Sequence, residues 1–536
     1  MSDELLAGLP VLAISGAALF EPSGWGALEQ VLPGYMQPRR WFSGKARGLA
    51  SARVQAAIPL LYAGQLSHLV LVRVLYADGG GETYLLPLAF AGAARAAELA
   101  ATVPHALVAH AGEAVLFDPI YAAAFCAALL DLVAAGARVP AGDAELAADT
   151  TRAFAQLRGP IADALAPKVS TAEQSNSSII FGDRLILKLF RRIEPGLNPE
   201  LEIGRFLTER GQFAHIPPLA GAIEYRQGGT SMSVALLQGF VPNRGDSWYY
   251  TLDTIATAFG RLLANPALLA NPAALDAPGP AAALLGEYAA SAELLGRRTG
   301  ELHLALAADA SDPAFAPEPC DAAFGLGVYA SMEARARQSL DLLRGSVGGL
   351  PAETQPDARR VLELEPQIFT RLRTAFERPI AAQRIRVHGD YHLGQVLYTG
   401  ADFFIIDFEG EPARPLEERR LKSLATQDVA GMLRSFHYAP YAVLFGQAPG
   451  VAFDAAQQAA LEPWARGWHR LAAAAFLRSY RDTVGAAPLL PHSAGELQTL
   501  LDAYLLDKAV YELRYELNNR PAWARIPIEG VLQLLR

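Results

Sequence analysis

The chain has 536 residues, two cysteines and a net charge of −9. This acidic balance, without an extended lysine and arginine cluster, excludes a nucleic-acid-binding surface, and two cysteines cannot build a disulfide framework or a thiolate zinc site. A cysteine-poor sequence suits a reducing compartment, so we expect a cytoplasmic enzyme with neither nucleic acid nor a membrane as a partner. The length exceeds that of one hydrophobic core and predicts two or three packed units.

The N-terminal part predicts a sheet-rich cap subdomain over residues 1–150. Apolar runs at 69–76 and 83–90 are separated by the glycines 79–81, which predict a turn. An alanine-rich helical stretch follows, up to a break at Pro140. The cluster Arg39-Arg40-Trp41-Phe42 indicates packing, because adjacent aromatic residues usually lie in a core. Contact with a partner or a nucleotide is the alternative for this cluster.

Residues 151–241 predict a second subdomain built on a hairpin. The runs 177–181 and 184–190 are rich in β-formers and are joined by Gly182-Asp183, a pair suited to a two-residue reversal. This reversal places Lys188 opposite Ser177. Because Lys188 shares its strand face with apolar residues, its ammonium needs an anionic partner.

Two kinds of partner are available to Lys188. Glu202, in a helix predicted downstream, is the expected ion-pair partner, with Glu200 as the competitor. A run of small polar residues before the first strand offers hydroxyls and backbone N–H groups to phosphates: Ser175, Asn176 and Ser177. The structural alternative is that Lys188 binds no phosphate and extends its ammonium into solvent beside a polar turn.

A predicted strand at 232–236 is followed by a segment with the character of a hinge. Gln238, Phe240 and Val241 are the residues of this segment whose backbone groups are candidates for contact with adenine. The hinge closes the second subdomain.

Residues 242–536 are mostly helical by pattern, with a second hairpin embedded between them. Its strands are predicted at 396–398 and 403–406. If the hairpin closes symmetrically about Ala401, Gln395 lies opposite Asp407. An amide oxygen and a carboxylate then meet at one end of the hairpin, where they are suitable ligands for a hard cation. Asp390 precedes them on a turn.

The segment R-V-H-G-D-Y-H-L-G-Q at 386–395 resembles the catalytic loop of kinases. Protein kinases place a proton-accepting Asp five residues before a metal-binding Asn, and a second metal-binding Asp after a strand pair. Asp390, Gln395 and Asp407 follow this spacing, and the H-G-D-x-H form is similar to aminoglycoside and other small-molecule kinases. Gln395 departs from the usual Asn, although its amide oxygen also binds metals. The alternative is that His388 and His392 only satisfy buried polar groups.

The C-terminal helical pattern carries rings and hydrogen-bonding groups at steps of three and four residues. They are Tyr504, Lys508, Tyr511, Glu512, Tyr515, Glu516 and Asn519. This spacing predicts one helix face, and such a face suits a disaccharide. Tyrosines packed in a core beside solvated charges are the alternative.

The whole chain resembles the bacterial maltokinases. The segments that carry the resemblance are R-R-W-F-S-G-K-A-R at 39–47, E-Q-S-N-S-S-I-I-F-G-D at 173–183, L-I-L-K-L-F-R-R at 185–192, L-G-R-R-T-G-E-L-H at 295–303, H-G-D-Y-H-L-G-Q at 388–395, I-D-F-E-G-E-P at 406–412 and K-A-V-Y-E-L-R-Y-E-L-N-N-R-P at 508–521. The resemblance implies an α+β, bilobal kinase-like fold with a cap (1–150), an intermediate subdomain (151–241) and a helical C-terminal catalytic lobe (242–536).

The resemblance also implies an activity, ATP-dependent phosphorylation of maltose to maltose 1-phosphate for α-glucan synthesis, with Mg²⁺ as cofactor. It implies Asp390 as general base, Gln395 and Asp407 as magnesium ligands and Lys188 at the ATP phosphates. The implied sugar contacts in the C-terminal lobe are His392, Glu409, Lys508, Tyr511, Glu512 and Tyr515. Maltokinases are often fused to or paired with trehalose synthase, which is therefore an expected partner.

Two other functions remain open at this stage. Glucosamine or another free sugar is the alternative acceptor. A catalytically silent docking module for trehalose synthase is the alternative class, although the presence of Asp390, Gln395, Asp407 and Lys188 argues against it.

Overall fold

The computed structural model describes residues 2–170, 175–211, 213–276, 279, 283 and 286–535. Glu173, which opens one of the predicted motifs, lies outside these residues. The chain folds as two compact units, Met1–Glu209 with Pro217–Pro242 and Arg210–Ile216 with Asn243–Arg536. Within the described ranges, no helix combines the length and the apolar character that crossing a membrane requires.

The N-terminal part of the first unit is a cap built on an antiparallel sheet. Its strands are β1 (Leu49–Tyr62), β2 (Gln65–Tyr76), β3 (Gly81–Ala91), β4 (Leu107–Ala111) and β5 (Ala114–Phe117), in the order β1-β2-β3-β5-β4. Its helices are α1 (Ser2–Ala7), α2 (Trp25–Met36), α3 (Ala93–Thr102) and α4 (Ala123–Ala134). The predicted sheet-rich character of this region is confirmed.

The aromatic cluster of the cap packs in its interior. Trp41 and Phe42 are buried. The ring centroid of Tyr84 lies 5.2 Å from that of Phe42 and 6.0 Å from that of Trp41. Arg47, at the end of the same motif, forms an ion pair with Asp78 at 2.7 Å. The packing interpretation of the aromatic pair is therefore confirmed.

A second antiparallel sheet follows in the same unit. Its strands are β6 (Arg138–Ala141), β7 (Ala144–Thr150), β8 (Pro167–Val169), β9 (Asn176–Phe181), β10 (Leu185–Phe190), β12 (Leu219–Gln227) and β13 (Thr230–Gly239), in the order β6-β7-β12-β13-β10-β9-β8. The short strand β11 (Arg192–Ile193) pairs with β3 of the cap, and α5 (Phe154–Arg158) and α6 (Pro199–Phe206) complete the unit. Leu185, Leu187 and Leu189 of β10 are fully buried, as the period of two along a strand predicts.

A buried ion pair joins the cap to the second sheet. Arg191, between β10 and β11, places Nη2 2.7 Å from Oδ2 of Asp118, and both side chains are almost completely buried. Its Nε donates to Oγ of Ser177 at 2.8 Å. Because removing one partner leaves an uncompensated charge in the interior, a buried pair of this kind restricts how its two segments can be arranged.

The second unit is mostly helical. Its helices are α7 (Ser247–Leu263), α8 (Pro266–Leu269), α9 (Ala289–Leu306), α10 (Ala322–Ser346), α11 (Gln355–Glu363), α12 (Glu365–Thr374), α13 (Leu416–Arg419), α14 (Thr426–Leu444), α15 (Ala455–Val484), α16 (Ala494–Asn519) and α17 (Arg525–Leu534). Its strands form two antiparallel pairs, β14 (Glu318–Cys320) with β15 (Ile380–Arg384) and β16 (Val396–Tyr398) with β17 (Phe403–Ile405).

A glycine sets the distance between the two helices α9 and α15. A Cβ atom at Gly296 would lie 2.3 Å from the carbonyl oxygen of Phe476, so only glycine permits this approach. The predicted fold class is confirmed, since a sheet-rich N-terminal region precedes a mostly helical C-terminal one.

Candidate active site

The β16–β17 hairpin brings Gln395 and Asp407 together. The register pairs Val396 with Ile405, and the backbone N–H of Ile406 donates to the carbonyl of Gln395 at 3.0 Å. The predicted register was therefore wrong by one residue, because the hairpin closes between Gly400 and Ala401 rather than about Ala401. The side chains still meet, with Nε2 of Gln395 donating to Oδ2 of Asp407 at 2.9 Å.

An ion pair anchors the turn of this hairpin. Arg298 on α9 donates from Nε and Nη2 to the two carboxylate oxygens of Asp402, at 2.8 and 2.7 Å. Bidentate pairs between guanidinium and carboxylate groups restrict direction as well as distance. The hairpin therefore has a fixed orientation on the helical unit.

Asp407 has a backbone conformation that is rare for residues other than glycine. Its φ angle is +66°, in the left-handed region. Strain of this kind is concentrated at functional sites, where the surrounding structure maintains it. Here it follows directly after β17 and leaves the carboxylate beside the amide of Gln395.

A second carboxylate lies close to Asp407. Oxygen atoms of Asp407 and Glu409 are within 4.8 Å of each other, a separation that one cation can bridge. Glu409 was predicted as a sugar contact, which stays a prediction, and its position also suits a cation ligand. Two carboxylates and one amide oxygen form the hard oxygen set that Mg²⁺ prefers, so the residues present fit the predicted cofactor.

Asp390 lies between a lysine and a histidine. Nζ of Lys508 donates to Oδ1 of Asp390 at 3.1 Å, and Nε2 of His392 is 3.9 Å from Oδ2. Burial alone raises the pKa of Asp390, but the charge and hydrogen bond of Lys508, with a further contribution from His392 when its ring is protonated, outweigh burial and hold its pKa below the usual value. Asp390 is therefore ionised at neutral pH and able to accept a proton.

A buried carboxylate on α14 holds the loop that carries Asp390. The backbone N–H groups of His388 and Gly389 donate to Oδ2 and Oδ1 of Asp428, at 2.7 and 2.9 Å. Nε2 of His303 lies 3.0 Å from Oδ2 of the same carboxylate, and Nδ1 of His303 lies 2.9 Å from the hydroxyl of Tyr480. Burial raises the pKa of Asp428, and His303 with these loop contacts lowers it below its ordinary value.

The two loop histidines have different environments. His388 is buried, and its Nε2 lies 2.9 Å from the carbonyl oxygen of Ile406, next to Asp407. The ring of His392 caps its own turn, with Nδ1 accepting from the N–H of Gly394 at 3.1 Å. Burial lowers the pKa of His392, so its ring is neutral near pH 7. His388 therefore connects the loop to the hairpin, and His392 stands beside Asp390.

A cavity of about 850 Å³ opens beside Asp390, Gly389 and Lys508. Its wall is rich in charge, with Glu318, Arg335, Arg384, Arg386, Asp390, Glu411, Arg414, Glu417, Glu418, Arg419, Arg420, Lys422, Asp428, Asp507 and Lys508 among the lining residues. The volume lies in the range of ordinary small-molecule sites. Of the predicted sugar contacts, Lys508 and Tyr511 line this cavity, whereas His392, Glu409, Glu512 and Tyr515 do not.

The predicted sugar face of the C-terminal helix is divided in the structure. Glu512 of α16 accepts from Nε of the buried Arg434 at 3.0 Å, and Glu516 is buried and accepts from the hydroxyl of Tyr438. Tyr515 is 48% exposed. Lys508 and Tyr511 of α16 therefore line the cavity, whereas Glu512 and Glu516 contact residues of α14.

The first unit contains the predicted phosphate lysine. Lys188 pairs with Ser178 across the β9–β10 hairpin, so the predicted pairing with Ser177 was wrong by one residue. Its Nζ lies 2.6 Å from Oε2 of Glu200, the competitor of Glu202 in the prediction.

The small polar run and the hinge differ in part from their predictions. Asn176 and Ser177 belong to β9, and the hydroxyl of Ser177 accepts from Arg191; Ser175 lies exposed before the strand. Gln238 lies inside β13, which ends at Gly239. The N–H of Phe240 donates to the carbonyl of Arg184 at 2.7 Å. The Phe240 amide is therefore already engaged, and the predicted adenine contact at Val241 stays a prediction.

Comparisons with known proteins show the relationship of the chain. Residues 35–121 match the family model described as the maltokinase N-terminal cap domain. A glucosamine kinase of Streptacidiphilus jiangxiensis is 28% identical over 371 residues, covering 68% of this chain and 72% of that protein. A glucosamine kinase of Mycolicibacterium smegmatis is 25% identical over 370 residues, covering 68% and 78%.

A solved structure extends this similarity to the fold. It is a glucosamine kinase in complex with glucosamine, ADP and inorganic phosphate, which matches with a TM-score of 0.60 at 21% identity over 94% of this chain and 99% of that one. The chain therefore shares the fold of this kinase, and its residues 35–121 match the maltokinase N-terminal cap domain. The resemblance of residues 386–395 to a kinase catalytic loop and the similarity of the fold to a kinase therefore agree.

Sequence reasoning missed Asp428, which holds the loop that carries Asp390. The signal was present, because Asp428 stands in the run L-A-T-Q-D-V-A-G-M-L, where a carboxylate on an otherwise apolar helix needs hydrogen-bond donors. Those donors are backbone groups, which have no signature in the sequence.

Replacing Asp428 with asparagine should loosen the catalytic loop. The amide offers one acceptor oxygen, so one loop N–H loses its partner, and we expect a loss of about 2 kcal/mol in the free energy of unfolding. Urea unfolding and amide hydrogen exchange of residues 386–391 measure the two effects. The exposed helical Asp482→Asn is the matched control and should change neither. Unchanged exchange in Asp428→Asn contradicts the anchoring role.

Proposed function

We propose that this chain transfers the γ-phosphoryl group of ATP to a hydroxyl of a free sugar, with maltose as the preferred acceptor and maltose 1-phosphate as the product. Its class, an ATP-dependent sugar kinase, is supported by the glucosamine kinases among its relatives and by the kinase-like fold. The maltokinase cap domain favours maltose within that class. Maltose 1-phosphate would then supply α-glucan synthesis.

The observation that carries the proposal is the position of Asp390. Its carboxylate is ionised, held by Lys508 and exposed to a cavity large enough for a sugar. In the proposed reaction, Oδ2 of Asp390 accepts the proton of the acceptor hydroxyl while that oxygen attacks the phosphorus. The bond from phosphorus to the bridging oxygen breaks, and ADP leaves with the electron pair.

Gln395, Asp407 and Glu409 are the residues that would hold Mg²⁺. The ion, when bound, neutralises charge on the phosphates during transfer. Residues of the chain keep these ligands in place: Arg298 fixes the hairpin turn through Asp402, and the positive φ angle of Asp407 directs its carboxylate toward Gln395. In the first unit, Lys188 is the proposed phosphate-binding residue, and Glu200 is its ion-pair partner.

The charges of the cavity wall favour a neutral acceptor. Asp507 pairs with Arg335 at 2.8 Å, and Glu411 is paired as well, with Arg414 at 2.8 Å. Glu318 lies 2.6 Å from Lys422. The remaining carboxylates are Asp390 and Asp428, both already engaged, and Glu417 and Glu418 on the exposed helix α13. At the paired carboxylates an ammonium substituent must therefore displace an existing cation, and only Glu417 and Glu418 of the described wall have no ion pair, whereas hydroxyls need only donors and acceptors.

Glucosamine is the second candidate acceptor, because two relatives are glucosamine kinases. A third possibility, a silent docking module for trehalose synthase, is opposed by the ionised Asp390 and by the paired Lys188, which a module without catalysis does not need. Trehalose synthase stays a predicted partner on the strength of the resemblance to maltokinases.

Asp390→Asn should remove most turnover while leaving the fold and ATP binding nearly intact. Asparagine has the same shape but cannot accept the proton, and loss of a general base costs about 10²- to 10⁴-fold in kcat. Steady-state ADP release and ATP titration measure the two effects, with Asp482→Asn as the control. A variant that keeps more than about a third of the wild-type kcat shows that Asp390 is not the base.

Asp407→Ala should raise the magnesium requirement more than Gln395→Ala does. Asp407 contributes a negative charge to a divalent cation and Gln395 a neutral oxygen, so we expect roughly a tenfold or larger shift for Asp407→Ala, about 1.4 kcal/mol. Magnesium titrations at saturating ATP and sugar compare the two variants. The opposite order means that the hairpin does not hold the metal as proposed.

A panel of free sugars decides the acceptor. We expect maltose to exceed glucosamine by about tenfold in kcat/KM, since pocket contacts of this kind are worth roughly 1–3 kcal/mol. The product should lack a reducing end, because phosphorylation at the anomeric hydroxyl removes the free hemiacetal. ATP consumption and a reducing-end assay provide the measurements. A tenfold preference for glucosamine rejects maltose while leaving the kinase chemistry standing.

A further inference from the structure

Lys508 connects the C-terminal helix to the catalytic aspartate. It extends from α16, and its Nζ lies 3.1 Å from Oδ1 of Asp390. Nε2 of His392 is 3.9 Å from the other oxygen, Oδ2, which is beyond hydrogen-bond range. Lys508 thus occupies one oxygen of the carboxylate and leaves the second one open.

The catalytic loop supplies no permanent cation to Asp390 itself. The segment 388–395 reads H-G-D-Y-H-L-G-Q, with neither lysine nor arginine. Among the residues that the structure describes, Lys508 is the one lysine or arginine in contact with Asp390, and His392 and His388 are the other titratable groups that act on this carboxylate.

The surroundings of Lys508 keep it charged. Burial alone lowers the pKa of Lys508, but the carboxylates of Asp390, Glu512 and Glu411 outweigh burial and raise its pKa above the ordinary value. Its ammonium lies over the ring of Tyr511, 4.9 Å from the centroid, which also favours the cation. The side chain is therefore a permanent charge directed at Asp390 from one side.

We propose that Lys508 is a positioning residue for catalysis rather than a sugar-binding one, holding Oδ1 of Asp390 so that Oδ2 faces the hydroxyl that attacks ATP. This inference rests on the proposed kinase function. In the step, the hydroxyl proton moves to Oδ2, the sugar oxygen bonds to the phosphorus, and ADP leaves with the bridging electron pair. Lys508 keeps its hydrogen bond throughout and exchanges no proton.

The position of Lys508 also separates its role from that of its helix neighbours. Glu512, one turn further along α16, is bonded to Arg434, and Tyr515 is about half exposed. Sugar contacts along this helix face would require several of these side chains to converge. Lys508 is instead hydrogen-bonded to Asp390, so the role that we assign to it is control of this carboxylate.

The test compares Lys508→Met, Lys508→Arg and the exposed-lysine control Lys45→Met, with the best sugar of the panel as acceptor. For Lys508→Met we expect kcat to fall about 10²-fold, because misplacing a reacting group by about 1 Å costs that much, with KM for the sugar changed less than threefold. The acid limb of the kcat/KM profile should move to higher pH, since Asp390 loses its neighbouring cation. Lys508→Arg should recover part of kcat.

A double variant decides whether Lys508 acts through Asp390. Asp390→Asn combined with Lys508→Met should be no slower than Asp390→Asn alone, within about twofold. A more than tenfold rise in KM for the sugar at unchanged kcat in Lys508→Met overturns the inference in favour of sugar binding, and a further tenfold loss in the double variant overturns it too. If the wild-type chain phosphorylates no sugar of the panel, the proposed function fails, and that result is independent of every Lys508 comparison.

Discussion

The buried carboxylate of Asp428 is the constraint on which the catalytic loop depends. A charge inside a helical unit is tolerated only when donors surround it, and here two backbone N–H groups of the loop and His303 do so. Asp428 needs these hydrogen bonds to remain buried as a charge, and the same hydrogen bonds fix the backbone path of residues 388 and 389. Since His303 is held in turn by Tyr480 on α15, three helices determine where Asp390 stands.

Around that fixed loop, the second unit arranges charges in pairs. Asp390 has Lys508, Asp402 has Arg298, and Glu512 has Arg434. Pairing reduces the cost of removing these groups from water, and it also decides what the cavity accepts. A wall in which most carboxylates are already paired selects mainly by hydrogen bonding and shape, in agreement with the proposed neutral sugar. Helix α16 has contacts of both kinds, because Lys508 pairs with Asp390, whereas Glu512 pairs with Arg434 on α14.

The first unit follows the same principle at two positions. Arg191 and Asp118 connect the cap to the second sheet, and Lys188 is held by Glu200.

In the comparisons, the cap and the whole chain are similar to proteins with different sugar substrates in their names. The cap matches a maltokinase domain, whereas the relatives that cover two thirds of the chain are glucosamine kinases. The comparisons therefore leave two candidate acceptors, and the proposed preference for maltose rests on the paired charges of the cavity wall.

The sequence by itself determined the fold class, both hairpins and the approach of Gln395 to Asp407, because these depend on local patterns: alternation of apolar residues, turn residues, and the spacing of Asp390, Gln395 and Asp407. It gave both hairpin registers one residue away from those observed, since register is set by how a turn closes and which face is buried. It also chose Glu202 over Glu200. That choice depends on the rotation of α6 relative to β10.

The tertiary structure alone decided which predicted groups touch. It brought Lys508 to Asp390 across more than a hundred residues of sequence, diverted Glu512 to Arg434, and revealed Asp428, whose partners are mostly backbone atoms. The physical reason is the same in each case. The sequence identifies the chemical groups of each side chain. The packing of helices that are distant in the sequence determines which of these groups meet, and no local pattern predicts that packing.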